Sequence, residues 1–218
     1  MSAEVMSKAA NRRRGFLVVL SGPSGVGKNT LLNAVLPLVD GLQYSVSATT
    51  RPPRPGEVHG RDYFFLTDEE FDGMVQRGEF LEWAEFVGRR YGTPRAFIEE
   101  CLDKGLTVIL DVDIQGAAQI RAAMPEAVLV FLLPPSLEEL RRRIYGRGKD
   151  SESAIAERLS WAQHELAAVT DYDYVIVNDD LQRACDQLRS IIIAERCKVS
   201  RSDYPALIAS LREEGKTP

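Results

Sequence analysis

Short apolar runs alternate with amphipathic stretches along this chain. FLVVL at residues 16–20, LTVIL at 106–110 and AVLVFLL at 127–133 are almost continuously hydrophobic, the pattern of strands covered on both faces in a parallel sheet. A shorter run, DYVIV, follows at residues 173–177. Between the runs, apolar residues recur at helical spacing over residues 28–36, 114–124, 136–146, about 153–169 and about 181–198. Strands and helices in this order predict right-handed crossovers and a mostly parallel sheet with helices on both faces. Ligands of such sheets bind beyond the carboxyl ends of the strands. Thr67 with Glu70 and Ser136 with Glu139 have the spacing of capping boxes, and so predict two helix starts.

The pattern changes character between residues 46 and 93. LQYSVSATT, residues 42–50, alternates through Tyr44, Val46 and Ala48 and predicts one strand that delivers Ser47, Thr49 and Thr50 into a loop. That loop, RPPRPGEVHGRDYFF, is rich in helix breakers and almost free of apolar residues, so it belongs to no core. EFLEWAEFV, residues 79–87, alternates again and predicts a strand with an acidic face. Thr93 then reads as the N-cap, and Pro94 as the first residue, of a helix reaching about Asp103. The predicted organisation is a core of residues 15–45, 94–136 and 170–197, a polar subdomain of residues 46–93 leaning over the core, and a lid region of residues 137–169. Residues 1–14 read as a solvated arm, and residues 198–218 as a tail or an oligomer contact, so a homo-oligomer stays open.

Composition narrows the partners. The chain has 218 residues and 44% hydrophobic content, enough for one core and hardly for two. A net charge of -5 argues against a general nucleic-acid or membrane-surface binder, and no apolar run approaches a membrane span. Three scattered cysteines in odd number fit a reducing, cytoplasmic setting. Any anion chemistry must come from local cations.

Those cations are clustered. SGPSGVGKNT, residues 21–30, follows the first apolar run and fits the phosphate-loop pattern GxxxxGK[ST] at Gly22, Gly27 and Lys28. The intervening Pro23, Ser24, Gly25 and Val26 complete a tight turn whose N–H groups converge on one anion at a helix start. Asn29 stands where the pattern has a hydroxyl, and Thr30 follows it. Asp111 and Asp113 end the run VILDVD, the expected place for an acid that positions Mg2+ or its waters. Arg51 and Arg54, with Tyr63 and Tyr91, suit a monophosphate dianion, because guanidinium forks hold phosphate in a fixed pose. Glu82 could take the paired N1–H and N2–H2 donors of guanine, which adenine lacks. Arg143, Arg147 and Arg158 lie around the glycine-rich GRG turn and could close over a triphosphate.

With these residues in view, the chain closely resembles the guanylate kinases over about residues 15–197. SVSATTRPPRPGEVHGRDY looks like the family's monophosphate signature, and EFLEWAEF, YGTP, ILDVDIQGA, FLLPPS, GRG and VIVNDDL recur in the family's order. The resemblance implies a P-loop, nucleoside-monophosphate-kinase-like three-layer fold with a small GMP-binding insertion and a lid. It implies the reaction MgATP + GMP (or dGMP) → ADP + GDP (or dGDP), with ATP and GMP as partners. By similarity, Ser47, Glu82, Thr93 and Asp113 recognise guanine; Arg51, Arg54, Tyr63 and Tyr91 hold the acceptor phosphate; Asp111 lies near the reacting phosphates; Arg143, Arg147 and Arg158 lie on the lid side; Asn178 lies near the adenine. Because Asn29 departs from the general hydroxyl pattern, Mg2+ is expected to be held by phosphates and waters, with Asp111 or Thr30 as the protein contact. Two other readings remain: a non-catalytic guanylate-kinase-like binding module, and a P-loop kinase for another small acceptor.

Overall fold

The computed structural model describes residues 14–86, 88–145, 160–162, 164–201, 204, 208, 209, 211 and 212. In chain order its elements are β1 (Leu17–Ser21), α1 (Lys28–Val35), β2 (Leu42–Tyr44), β3 (Ala48–Thr49), β4 (Phe64–Phe65), α2 (Asp68–Gln76), β5 (Phe80–Phe86), β6 (Arg89–Pro94), α3 (Arg95–Asp103), β7 (Thr107–Asp111), α4 (Ile114–Ala123), β8 (Val128–Leu133), α5 (Leu137–Tyr145), β9 (Tyr174–Val177) and α6 (Leu181–Arg196). The principal sheet has the order β2-β7-β1-β8-β9, and every pairing in it is parallel.

The buried strand β1 shows why this is a three-layer structure. Its side chains alternate between faces, so Val18 and Leu20 join Leu31, Val35, Leu140, Ile144, Leu188 and Ile192 in one core, contributed by α1, α5 and α6. Leu17 and Val19 join Ile98, Leu102, Ala117 and Ile120, from α3 and α4, in a second core on the opposite face. Each fully buried Leu, Ile or Val contributes about 1.5–3 kcal/mol by leaving water. Continuous hydrophobicity is therefore required of β1, because neither face meets solvent.

Residues 48–94 build a second sheet, of order β4-β3-β6-β5. β3 pairs with β4 in parallel and with β6 antiparallel, and β5 and β6 form an antiparallel hairpin. A small core of Ala48, Phe71 and Phe80 fastens α2 beneath it, with the Phe71 and Phe80 rings stacked at 4.5 Å. The sheet is anchored to the main body through β5. Leu81 packs into the core beside Leu17, and the Gln119 side chain on α4 accepts the Trp83 N–H at 3.2 Å.

Three local expectations are corrected. The alternating stretch 42–50 is two strands: after Ser45 donates its N–H to the Ile109 carbonyl (2.9 Å), the chain leaves the principal sheet, and Ala48 and Thr49 pair in the second. Thr93 caps no helix. It lies within β6 with its hydroxyl committed to Glu82, Pro94 takes the N-cap place, and the Arg95 N–H goes to the Glu79 carbonyl at 2.8 Å. The Ser136 box forms by half: Ser136 Oγ accepts the Glu139 N–H at 3.0 Å, but the Glu139 carboxylate is taken by Arg142 and Arg143. The Thr67 box forms completely. Of the helix expected over 153–169, residues 153–159 lie outside the described residues; 160–162 and 164–167 are helical, and Ala168–Asp171 is a 3-10 turn.

Candidate active site

The glycine-rich turn leaves β1 at the carboxyl edge of the sheet, where Ser21 Oγ donates to the Val112 carbonyl (2.8 Å) at the end of β7. Gly22 has φ 145, and a Cβ there would lie 2.4 Å from the Leu132 carbonyl oxygen of β8. Gly27 has φ 104, and its Cβ would lie 2.6 Å from Asn178 Nδ2. Both positions therefore require glycine twice over, for conformation and for space. Val26 N–H closes the turn onto the Pro23 carbonyl at 3.2 Å, and Lys28 Nζ folds back to the Gly22 carbonyl at 2.6 Å.

This turn is braced from α5 and from the end of β9. Asn178 Nδ2 and one Arg143 nitrogen both donate to the Val26 carbonyl, at 2.8 and 3.1 Å. Arg143 also donates to the Asn178 carbonyl (3.0 Å) and to Glu139 (2.8 Å). The Glu139 carboxyl is pushed down to about 2 by the hydrogen bonds from Arg142 and Arg143. Glu165 approaches from the other side. Its carboxylate comes near the Ser24 backbone; burial pushes its pKa up, and the Lys28 charge opposes that rise.

A cavity of about 390 Å3 opens between the turn and the second sheet. Ser47, Tyr63, Glu82 and Tyr91 line it on the side of the second sheet, and Asn29 on α1, Asp111 at the end of β7 and Asp113 just after it line it on the other. Tyr63 and Tyr91 meet edge to face, with ring centres 6.3 Å apart. Glu82 is 8% exposed, and its Oε1 accepts the Thr93 hydroxyl at 2.6 Å. Burial raises its pKa above the ordinary carboxylate value, the nearby Asp113 charge adds to the rise, and the Thr93 hydrogen bond opposes it. Asp113 itself caps α4, accepting the Gly116 N–H at 2.8 Å. Arg51 lies at the margin, paired with Glu57 at 2.9 Å and 5.3 Å from the centre of the Tyr63 ring. Arg54 gives its backbone N–H to Glu57 at 2.7 Å, but its side chain is exposed and is not part of the wall.

A groove of about 580 Å3 lies on the opposite side of the turn, lined by Gly25, Gly27, Thr30, Arg143 and Asn178. Asn29 and Thr30 thus face different spaces, as expected for successive residues about 100° apart around a helix. Arg147 and Arg158 lie outside the described residues. A further cavity of about 650 Å3 sits at the amino ends of the strands, where Arg121 pairs with Asp173 (2.7 Å), and Arg201 and Lys198 pair with Glu195 (3.0 and 2.7 Å).

Three residues escaped sequence reading. Tyr44, within an alternating strand pattern, donates its phenol to Asp111 Oδ1 at 2.6 Å. Glu57, in a charged loop, binds Arg51. Glu165, on a helix without any motif, reaches the turn from more than 130 positions along the chain. Only Tyr44 carried a signal, as a large phenol placed by alternation near the strand end that delivers Ser47.

Comparison with known proteins bears on this arrangement. The family model described as guanylate kinase matches residues 14–195. A guanylate kinase of Symbiobacterium thermophilum is 50% identical over 205 residues, covering 94% of this chain and 97% of the relative. One of Desulfitobacterium hafniense is 49% identical over 193 residues, covering 88% and 96%. The crystal structure of guanylate kinase from Anaplasma phagocytophilum superposes with a TM-score of 0.67 at 39% identity, covering 88% of this chain and 92% of that one.

Proposed function

Because this chain belongs to the guanylate kinase family and phosphorylates GMP with ATP, we propose that its two cavities divide the substrates. GMP occupies the cleft between the glycine-rich turn and the second sheet, and ATP lies along the groove beside Thr30, Arg143 and Asn178. The observation that carries this reading is Glu82. A buried carboxylate with one hydroxyl partner, facing a cavity, is an expensive arrangement unless a ligand supplies donors. Guanine supplies two, N1–H and N2–H2, on one edge. Ser47, Thr93 and Asp113 surround the same edge, Thr93 by holding Glu82 Oε1 in place.

The acceptor phosphate would lie near Tyr63, Tyr91 and Arg51. Arg51 must exchange Glu57 for phosphate, a swap of one anion for another at a guanidinium already stacked on an aromatic wall. Arg54 would reach in from solvent. Across the turn, Lys28 and the converging N–H groups neutralise the β- and γ-phosphates of ATP. An oxygen of the GMP phosphate attacks the γ-phosphorus while the bond to the β-bridging oxygen breaks and ADP leaves with its electron pair. A phosphate dianion needs no general base, so positioning and fixed positive charge do the catalysis. Arg143 contributes by bracing the turn, and Arg147 and Arg158 complete the set proposed on the lid.

The residues fit a magnesium ion held chiefly by substrate. Among the described residues no three acidic, His or Cys side chains gather as a metal cluster, and Mg2+ commonly keeps waters and takes one or two carboxylates with phosphates. Asp111, at the strand end, or Thr30, in the groove, would be its protein contact. When bound, the ion offsets phosphate charge. No helix among the described residues is long and apolar enough to cross a membrane. We place the enzyme in the cytoplasm, in keeping with free Cys101, Cys185 and Cys197.

The division of the cleft is tested with a bisubstrate analogue that joins guanosine and adenosine through a polyphosphate. Titration calorimetry should show it binding at least about 100-fold more tightly than ATP or GMP alone, because the second contact becomes intramolecular. Affinity no better than that of the stronger mononucleotide would contradict a cleft that seats both.

A further inference from the structure

We propose that Tyr44 is a positioning residue for phosphoryl transfer, acting through Asp111. The inference rests on the reading of Asp111 as the carboxylate that serves the reacting phosphates.

Tyr44 ends β2, the edge strand of the principal sheet, directly opposite Ile109 of β7 in parallel register. Asp111 lies two residues further along β7, so its side chain emerges on the same face as that of Ile109. The Tyr44 ring spans that offset and its hydroxyl donates to Asp111 Oδ1 at 2.6 Å, the short distance of a hydrogen bond to an ionised acceptor. Both residues line the acceptor cavity with Asn29 and Tyr63. Tyr44 is 40% exposed, and its hydroxyl is engaged by the carboxylate. In this bond the phenol is the donor and the carboxylate the acceptor.

The consequence is a division of labour within one carboxylate. Oδ1 is fixed by the phenol, so rotation about the carboxyl bond is arrested and Oδ2 is left as the oxygen presented to the cleft. Without the clamp, Asp111 would sample rotamers, and the fraction presenting an oxygen to the phosphates and their Mg2+ would fall. Residues that orient a metal-serving side chain from behind typically cost about 10–100-fold in activity or metal affinity when removed.

Tyr44→Phe keeps the ring and deletes the donor. In the full-length enzyme kcat should fall about 10-fold, with KM for GMP and the melting temperature held close to wild type. Calorimetry should show MgADP binding weakened several-fold while metal-free ADP and GMP bind as before. In an Asp111→Asn background, itself strongly impaired, the same change should alter kcat less than about twofold, since the clamp then has no carboxylate to hold. An unchanged kcat in Tyr44→Phe beside a crippled Asp111→Asn enzyme would overturn the role of Tyr44 and leave that of Asp111 standing. So would a full, additive loss in the double variant. A fully active Asp111→Asn enzyme would instead overturn the reading of Asp111 itself.

Discussion

Glu82→Gln separates recognition of the acceptor from everything else the cleft does. The substitution keeps side-chain length and the Thr93 contact but removes the charge and turns one acceptor into an NH2 group. In the wild type, Glu82 is 8% exposed, so little water competes for its oxygens. A guanine edge gives it two hydrogen bonds, and bonds to a charged group are each worth about 1.5–3 kcal/mol. Gln can accept only one of the two and meets the other guanine donor with a donor of its own. A loss of about 2–3 kcal/mol follows, or about 30–150-fold in GMP affinity. The ATP groove lies on the far side of the glycine-rich turn, so ATP affinity should change by less than about twofold. Separate calorimetric titrations with each nucleotide measure both. Equal weakening of GMP and ATP, or undiminished GMP binding, would refute the assignment. The same variant should move stability the opposite way. The folded pKa of Glu82 is raised, chiefly by burial, so the fold carries no penalty while the group is protonated in both states and acquires one as pH climbs through the raised value. Ligand-free Glu82→Gln should therefore melt above the wild type at pH 7, with the gap closing toward pH 4. A lower melting temperature at pH 7 would contradict this sign.

Two further substitutions test the donor side. Gly27→Ala forces a Cβ to within 2.6 Å of Asn178 Nδ2 at φ 104; it should cost at least about 1–2 kcal/mol in left-handed strain, lower the melting temperature by several degrees and raise KM for ATP more than KM for GMP. Equal stability in a melting scan would show that the turn relaxes around the methyl group. Lys28→Met removes a fixed charge and keeps the stem; kcat should fall by about 10²–10³ with GMP affinity intact, the loss typical of one electrostatic partner of the transition state. Stopped-flow single turnovers check it, and a change confined to GMP binding would speak against the place given to Lys28.

The layered fold was legible because its signals are local. The runs at residues 16–20, 106–110 and 127–133 are short and rich in Val, Ile and Leu, the pattern of strands covered on both sides, and the Thr67 box marks a helix start that the structure reproduces hydrogen bond by hydrogen bond. The order of strands in the sheet was not legible, since the placing of β7 and β8 on either side of β1 depends on crossovers between distant segments. Failures occurred where tertiary bonds compete with local preference. Thr93 has an N-cap's side chain, but a buried carboxylate claims its hydroxyl. Ser45–Ser47 continue a strand's alternation while the backbone passes from one sheet to the other. Within the site, the glycine spacing and Lys28 announced themselves, because an anion-binding turn imposes its residues at fixed intervals. Tyr44, Glu57 and Glu165 act by reaching partners 67, 6 and 141 positions away in sequence, respectively Asp111, Arg51 and Ser24. For the two long reaches nothing in the sequence fixes the pairing.

The most direct test of a cleft built around Glu82 and Lys28 is an initial-rate assay coupled to ADP formation, with ATP fixed and GMP, AMP, CMP and UMP offered in turn. GMP should turn over with kcat/KM at least about 10³-fold above the others, as expected where buried polar groups left unpaired by the wrong base oppose its binding. Comparable rates with AMP, or no turnover of GMP by folded protein, would contradict it.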